Sequence, residues 1–402
     1  MSHVARWQSP TLVIVAACLI ATIGFGVRSS FGLFLDPITE AKGWSRETFA
    51  LAMAIQNLLW GFGVPVAGAF ADRFGPSRVI CLGAVLYAIG ITGLVFAESH
   101  AALYFSAGIL TGLGVAFSAF SLAMAAMARV VGPERRSFVL GLGTAAGSFG
   151  QVVFSPLAQV FITQWGWDDA LFAMVFFTAL LMPLAMLLPS GVTKAAQAAA
   201  EQSLREALVE ARAHRGYLLL TCGFFVCGFH VAFITVHFPA YVADLGHPGQ
   251  VGAWCLALIG LFNILGSFGA GWLGQRYSMK VSLSWIYLLR AITIAGLLAA
   301  PKTTTTLYAF SAVMGVLWLS TVPLTTGIVA RVFGVQYLAT LFGIVFLSHQ
   351  IGSFVGIWWG GWLADNSGSY DGMWYAGIVL GLLAAVVHWF IDEEPLPRLA
   401  TA

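Results

Sequence analysis

The sequence predicts an all-α membrane protein with twelve transmembrane helices in two pseudo-symmetric six-helix bundles. Three observations predict this class. The 402 residues are 59% hydrophobic and only 9% charged, whereas soluble globular proteins carry about 25% charged residues. A bilayer-spanning helix needs roughly 20 apolar residues, and the chain supplies twelve such runs. Short polar segments at 68–78 and 271–280 each separate two long apolar runs at corresponding points of two halves, which is typical of a duplicated membrane protein.

The apolar runs place the spans in order along the chain. The run that follows Arg6 is long and has no A-x-A cleavage site before polar sequence, so we interpret it as the first span and not as a signal peptide. We expect the first six spans at about 11–36, 46–70, 78–97, 102–130, 137–163 and 168–189, and the second six at about 217–243, 250–274, 281–300, 306–331, 337–364 and 372–391.

One long polar segment divides the chain into an N-terminal bundle over 1–189, a linker over 190–215 and a C-terminal bundle over 216–402. Within the linker, Leu204, Leu208 and Ala211 recur at helical spacing among charged residues. This pattern predicts an amphipathic helix that lies on the membrane surface between the two bundles.

The basic residues predict the orientation. If the N-terminus is cytoplasmic, nearly all lysines and arginines in the polar segments fall on the cytoplasmic side, and the exceptions are Lys42, Arg46 and Lys302. Because short cytoplasmic loops are enriched in Lys and Arg, we expect both termini to be cytoplasmic. The expected location is the cell membrane, which would be the inner membrane of a Gram-negative cell.

The two halves repeat beyond the polar segments. GFGV at 24–27 matches GFHV at 228–231, RVVG at 129–132 matches RVFG at 331–334, and GSF at 147–149 matches GSF at 352–354. An even number of spans separates the halves, so the repeats are parallel and related by an axis along the membrane normal. Duplicated all-helical membrane proteins are usually transporters, which makes transport the expected function.

The segment G-x-x-x-D-R-x-G between spans 2 and 3, together with six plus six spans and a mid-chain linker, resembles the major facilitator superfamily. The matching residues are Gly68, Asp72, Arg73, Gly75 and Arg78. The resemblance implies a latch that closes the cytoplasmic side in the outward-open state. In this latch, Gly68 allows close helix approach, Asp72 lies at the N-terminus of span 11, and Arg73 offsets its charge.

Within that superfamily, the chain is most similar to the monocarboxylate and oxalate/formate transporter branch. The similar segments are 26–38 in span 1, 135–150 in span 5 and 342–356 in span 11. The branch usually has a basic residue in span 8 and an acid four residues before it, where this chain has Ser267 and Asn263. The resemblance implies alternating access and a small organic anion, such as a monocarboxylate, as the substrate.

Arg28 in span 1 is the first candidate for binding that anion. Placing a charge in the bilayer costs at least about 2.5–3.5 kcal/mol on insertion scales, so we expect an arginine inside a span to have a functional or a structural role. In this superfamily span 1 lines the central cavity, and a guanidinium binds a carboxylate through two hydrogen bonds. The alternative is a structural Arg28 that reaches the headgroups or pairs with Asp36.

Arg290 lies near the middle of span 9. Spans 3, 6, 9 and 12 are usually peripheral in this superfamily, so Arg290 has two open interpretations. It either bonds backbone carbonyls of neighbouring helices as a structural residue, or it reaches the cavity and replaces the missing base of span 8.

Other polar residues at suitable depth complete the candidate site. We expect Asn57, Asn263, Trp318 and Thr321 to line the substrate cavity, with ordinary interhelical packing as the alternative. Because no Asp or Glu falls well inside a span, a coupling proton would be carried by histidine, and His230 and His349 are the candidates. A neutral imidazole that is hydrogen-bonded to another helix is the alternative for both.

The chain has no P-loop, no G-x-S-x-G segment and no cluster of metal ligands, and its five cysteines lie inside apolar runs. We therefore expect neither an enzyme nor a cofactor, and no nucleic-acid partner. The expected partners are the lipid bilayer, a small-molecule substrate and a proton as coupling ion, as in a secondary symporter. A second hypothesis is a carrier of a neutral or aromatic solute, in which Arg28 is structural and Trp318 stacks on the substrate. A third is a non-transporting sensor.

Overall fold

The computed structural model describes residues 9–131, 133–189, 202–334 and 336–397. In these residues the protein is helical and contains no β-strand. Twelve helical segments are long and apolar enough to cross a membrane, and each lies close to a span predicted from the sequence. The predicted all-α membrane fold of two six-helix bundles is confirmed.

Of the first six spans, three are continuous helices and three are interrupted. Span 2 (Arg46–Phe74), span 3 (Pro76–Val95) and span 5 (Pro133–Trp165) are continuous helices. Span 1 consists of Pro10–Ser29, the 3-10 turn Phe31–Phe34 and Leu35–Lys42. Span 4 consists of His100–Leu103, the π-helical Tyr104–Leu110, Thr111–Phe117 and Phe120–Val130. Span 6 consists of Trp167–Ala179 and Leu181–Met186.

The last six spans contain one interruption in the middle of a helix. Span 7 (Arg215–Asp244), span 8 (Gly249–Arg276), span 9 (Met279–Ala299), span 11 (Leu338–Ser367) and span 12 (Asp371–Trp389) are continuous, whereas span 10 is divided into Thr304–Leu317 and Thr321–Phe333. Spans 4 and 10 occupy corresponding places in the two bundles, so the interruption is part of the repeat.

The first and fifth spans of each bundle cross at glycines. A Cβ atom on Gly26 would lie 2.7 Å from the carbonyl oxygen of Gly150, and Gly228 and Gly352 meet the carbonyl oxygens of the partner span in the same way. Glycine is required at these crossings because the helix backbones approach closely. Gly26 faces Gly150 in the N-terminal bundle, whereas in the C-terminal bundle Gly228 faces His349 and Gly352 faces Phe225.

We call the end of the bundles at which span 1 begins and span 12 finishes the terminal end, and the opposite end the far end. Spans 2 and 11 and spans 5 and 8 join the bundles, and they meet closely near the far end, where a Cβ on Gly361 would lie 2.6 Å from the Cβ of Ala50. Near the terminal end, Gly68 of span 2 and Gly343 of span 11 would place a Cβ with no atom within 4 Å. Among the described residues, spans 2 and 11 are therefore in contact near the far end and are separated at these glycines near the terminal end.

The linker contains the predicted helix, Leu204–Ala213. Its Ser203 forms a capping box with Glu206, and hydrogen bonds from the backbone and hydroxyl of Ser203 hold the pKa of the Glu206 carboxyl below its usual value. Tyr337 donates a hydrogen bond of 2.8 Å to the carbonyl of Gln202 just before the helix, so the linker helix is attached to the C-terminal bundle. The rest of the predicted linker, 190–201, lies outside the described residues.

Candidate substrate site

Arg28 lies at the end of the first helix of span 1, where the chain turns into the 3-10 segment. Its Nη2 donates a hydrogen bond of 2.5 Å to Oδ1 of Asn57 in span 2. The guanidinium carbon lies 4.3 Å from the ring centroid of Trp60, one turn further along span 2, in the geometry of a cation–π contact. Span 2 thus holds the arginine with an amide on one side and an indole on the other.

Two small cavities border Arg28. The first lies inside the N-terminal bundle, between spans 1, 2 and 4, and is lined by Gly24, Trp60 and Ser118 among others. The second lies at the interface of the bundles, where Asn57 of span 2 faces Thr235 of span 7. Arg28 is the residue that both cavities share.

The surroundings of Arg28 favour negative charge. Among the residues that the structure describes, the ion pairs involve Lys42 and Arg46, and none involves Arg28. The second helix of span 4 begins at Phe120 beside the first cavity, and no side chain caps its N-terminus. Because backbone N–H groups at a helix N-terminus carry partial positive charge, this helix end adds to the positive charge of Arg28 at the cavity.

His349 is connected to Arg28 across the bundle interface. Nε2 of Gln350 donates to the backbone carbonyl of Asn57 at 2.9 Å, so the Gln350 Oε1 is left to accept from Nδ1 of His349, also at 2.9 Å. Gly61 makes room for this contact, since a Cβ there would lie 2.7 Å from Cγ of Gln350. One chain of polar groups therefore runs from the candidate anion site to a histidine of span 11.

His230 lies elsewhere. Its Nε2 is 2.8 Å from the carbonyl oxygen of Gly377 in span 12, and the residue is buried inside the C-terminal bundle. It borders neither of the two cavities, and its contact is the interhelical hydrogen bond that the sequence left open as an alternative. The structure brings His349, and not His230, to the neighbourhood of Arg28.

Trp318, Thr321 and Asn263 lie together at the interruption of span 10. Trp318 and Thr321 flank the interruption and are buried, and Oδ1 of Asn263 accepts a hydrogen bond of 3.0 Å from the backbone N–H of Leu319 within it. None of them borders the two cavities around Arg28. As substrate contacts they remain predictions, and in this conformation they serve the packing of spans 8 and 10.

Arg290 is fully buried at the same interruption. Its Nε donates to the carbonyl of Leu317 at 3.1 Å, its Nη2 donates to that carbonyl at 2.7 Å, and Nη2 also donates to the carbonyl of Trp318. Arg290 borders neither cavity. Of the two interpretations that the sequence left open, the geometry matches the arginine that bonds carbonyls of a neighbouring helix.

The segment between spans 2 and 3 has the local structure that its residues predict. Gly75 ends span 2 with a positive φ of 87°, a conformation that favours glycine. Asp72, Arg73 and Arg78 are exposed, and a Cβ on Gly68 would have no atom within 4 Å. The latch itself remains a prediction.

The far end is held by an ion-pair cluster that the sequence did not reveal. Arg46 at the start of span 2 donates to both carboxylate oxygens of Asp244 in span 7, at 2.6 and 2.7 Å, and to Asp36 in span 1 at 3.0 Å. Asp365 at the end of span 11 accepts from the backbone N–H of Arg46 at 3.1 Å and of Glu47 at 2.7 Å. The topology expected from the sequence already put Arg46 and these three aspartates at the same end of the protein. This shared location was the available signal for the cluster.

Trp60 and Gln350 were also missed by sequence reasoning. Both lie inside apolar runs, where an indole and an amide resemble ordinary packing residues. The available signal was helical spacing, because Trp60 follows Asn57 by three residues and so shares its face of span 2.

Known proteins share both the sequence pattern and the fold. The family model of the Major Facilitator Superfamily matches residues 17–356 and, in a second match, 221–402. Monocarboxylate transporter 13 of Rattus norvegicus is 25% identical over 388 residues, which cover 94% of this chain and 89% of that protein.

Two solved structures share the fold. A bacterial homolog of the human lysosomal transporter Spinster, in an inward-facing and unoccupied conformation, superposes with a TM-score of 0.77 at 17% identity over 99% of this chain and 100% of that one. The inward open xylose transporter XylE from E. coli superposes with a TM-score of 0.74 at 15% identity over 95% of this chain and 96% of that one.

Proposed function

The chain belongs to the Major Facilitator Superfamily and is a transporter, and we propose that its substrate is a small organic anion of the monocarboxylate type, moved by alternating access. The residue that we assign to the substrate's charge is Arg28. The bundles are the moving bodies, and the cavity between them is what remains of the transport path in a conformation closed at the far end.

One observation carries the proposal. A guanidinium borders two cavities at the centre of the molecule, and its one side-chain hydrogen bond in the structure goes to the neutral amide of Asn57. A charge in the bilayer without a carboxylate partner is costly, and a substrate carboxylate would supply the missing counter-charge through a bidentate hydrogen bond.

Two further features support an anion. The uncapped helix N-terminus at Phe120 adds partial positive charge at the first cavity. Trp60 Nε1 and Arg28 Nε are buried without a hydrogen-bond partner, so both donors are available to an acceptor on the substrate. The rat relative is named as a monocarboxylate transporter, and we extend this substrate class to the present chain.

Orientation and coupling complete the proposal. With both termini cytoplasmic, the open terminal end faces the cytoplasm, and the structure is the inward-facing state. The latch residues between spans 2 and 3 would then close that side in the outward-facing state. We assign the coupling proton to His349, because the polar chain through Gln350 connects it to the carbonyl of Asn57 beside Arg28.

The test is uptake of labelled short monocarboxylates into liposomes that contain the purified protein. Arg28→Ala is expected to lower the apparent affinity by at least about tenfold, since a hydrogen bond to a charged group contributes about 1.5–3 kcal/mol. Arg28→Lys keeps the charge and should retain part of the activity. Arg205→Ala, which removes the same charge from the exposed face of the linker helix, is the matched control and should transport normally.

Equal uptake by Arg28→Ala and the wild type, at equal reconstitution, would refute the anion site. If that result came together with competition by neutral aromatic solutes, the second hypothesis, a carrier in which Arg28 is structural, would replace the first. Absence of any counterflow activity with either class would favour the sensor.

A further inference from the structure

The interruption of span 10 has an identifiable cause and a repeat counterpart. Pro323 has no N–H to bond the carbonyl of Leu319, and its ring opposes a regular helix there. The counterpart in span 4 is interrupted at Ser118, whose hydroxyl and backbone N–H both bond the carbonyl of Gly114. Interruptions in corresponding spans of a transporter mark the elements that form or move its binding site.

The two sides of the span 10 interruption are held by two neighbouring spans. On the carbonyl side, Arg290 of span 9 donates hydrogen bonds to the carbonyl oxygens of Leu317 and Trp318. The negative end of the first half-helix also favours a cation at this place. On the amide side, Oδ1 of Asn263 in span 8 accepts a hydrogen bond from the backbone N–H of Leu319. These side chains bond backbone groups at the interruption, and a buried interruption without them would leave polar backbone groups unpaired.

Asn263 also reaches the opposite bundle. While its Oδ1 binds the interruption, its Nδ2 donates to Oγ of Ser148 in span 5 at 2.9 Å. Span 8 packs directly on the interruption, since a Cβ on Gly266 would lie 2.7 Å from Oγ of Ser320. A single amide thus joins the discontinuous helix of one bundle to the other bundle.

We propose that the interruption of span 10 is a conformational element that responds to the position of the N-terminal bundle through Asn263, and that Arg290 is the positioning residue that maintains it. When the bundles rock, the Ser148–Asn263 bond changes, and the geometry at Leu319 changes with it. Trp318 and Thr321, which flank the interruption, are moved as a consequence. The proposal rests on alternating access and does not require Arg28 to bind the substrate.

The first test measures hydrogen–deuterium exchange of peptides that cover 314–324, in the intact protein in lipid nanodiscs. Asn263→Ala should speed exchange at Leu319, because the amide loses its acceptor. Ser148→Ala should speed exchange at the same amide by about threefold, although Ser148 belongs to the other bundle. The matched control is Thr144→Ala, one turn earlier in span 5, whose hydroxyl bonds only within its own span and should leave the peptide unchanged.

An unchanged exchange rate at 314–324 in Ser148→Ala would overturn the link between the bundles, whatever Asn263→Ala does. This arm does not depend on variants of Arg290, so it decides the proposal even if those variants fold poorly.

The second test separates positioning from substrate binding. Arg290→Met is expected to lower the turnover rate by about tenfold with an unchanged KM, and Arg290→Lys should recover part of the rate because an ammonium can donate to the same carbonyls. A loss of affinity like that of Arg28→Ala would show a substrate ligand and overturn the positioning role. Wild-type turnover in Arg290→Met would overturn it as well.

Discussion

Each bundle places one arginine beside an interrupted span, yet the two arginines have different surroundings. Arg28 of the N-terminal bundle borders two cavities and bonds one neutral amide. Arg290 of the C-terminal bundle is enclosed and donates three hydrogen bonds to the carbonyls of Leu317 and Trp318. The same residue type thus makes one side-chain hydrogen bond to a neutral amide in one bundle and three to backbone carbonyls in the other, although Nη1 of Arg290 is buried without a partner.

This difference indicates which bundle we expect to recognise the charge of the substrate and which bundle we expect to contain the adjustable helix. A buried cation with an incomplete set of partners can bind an anion, whereas one that is already bonded to backbone carbonyls contributes to structure. We therefore place substrate charge recognition in the N-terminal bundle and the adjustable helix in the C-terminal bundle. The interrupted spans follow the same division, since the span 4 interruption borders a cavity and the residues at the span 10 interruption line neither of the two cavities.

Among the variants that test this difference between the bundles, Asn57→Asp is expected to have the largest effect on the apparent substrate affinity. The new carboxylate would replace the amide oxygen that Arg28 already contacts at 2.5 Å and would act as a permanent counter-ion. A substrate anion would then compete with it, so we expect the apparent affinity to fall by about 10- to 100-fold, the range that corresponds to a charged hydrogen bond. Uptake kinetics in liposomes measure it.

The same exchange in the other bundle is the control. Asn263→Asp keeps the acceptor for the N–H of Leu319 and should change the apparent affinity by less than about threefold, because the average interhelical side-chain bond is worth about 0.6 kcal/mol. Equal losses of affinity in both variants would contradict the division of roles.

A smaller effect is expected at Trp60. Trp60→Ala removes the cation–π contact at 4.3 Å, which is worth about 0.5–2 kcal/mol, so the apparent affinity should fall by about 3- to 30-fold. Trp60→Phe keeps a ring and should lose less. The corresponding ring in the C-terminal bundle is Tyr287, at 5.3 Å from Arg290, and Tyr287→Phe should leave the affinity unchanged. A wild-type affinity in Trp60→Ala would show that the indole does not hold the arginine for the substrate.

The smallest effect concerns the contact between the bundles at the far end. Arg46→Ala removes the bond to Asp244 of the other bundle, together with a bond to Asp36 of its own bundle. Because the side chains are partly exposed, such a pair contributes about 0.2–1 kcal/mol, so the loss of the one pair between the bundles should raise the population open at the far end by up to about fivefold. Distances between spin labels in the far-end loops 96–99 and 300–303 measure the shift.

Salt provides a check on that measurement. High ionic strength should shift the wild type in the same direction as Arg46→Ala and leave the variant less affected, since salt screens exposed pairs. An unchanged distance distribution in Arg46→Ala would show that apolar packing alone closes the far end.

Hydropathy made the architecture predictable. Lipid requires nearly every spanning segment to be a continuous apolar helix or a helix with its breaks repaired, so twelve spans could be placed from composition and run length. Arg28 could be singled out for the same reason, because a charge is conspicuous in an apolar run. The glycines at the span crossings were visible as a repeat, although their register was fixed only by the packing.

The partners of each polar residue could not be predicted in this way. Asn57, Asn263 and Gln350 are all single amides in apolar runs, and helical spacing does not tell which neighbouring span each faces. In the folded protein the first bonds Arg28, the second joins Leu319 to Ser148, and the third connects Asn57 to His349. These roles depend on contacts between residues far apart in the chain.

The lengths of the apolar runs and a charge inside one of them are local properties, so they were enough to predict a duplicated twelve-span transporter and to single out the arginine of its first span. Which of the two arginines bonds backbone carbonyls was determined by the packing of the helices. That outcome depends on whether a neighbouring helix offers unpaired carbonyls, as span 10 does for Arg290 and as span 2 does not for Arg28.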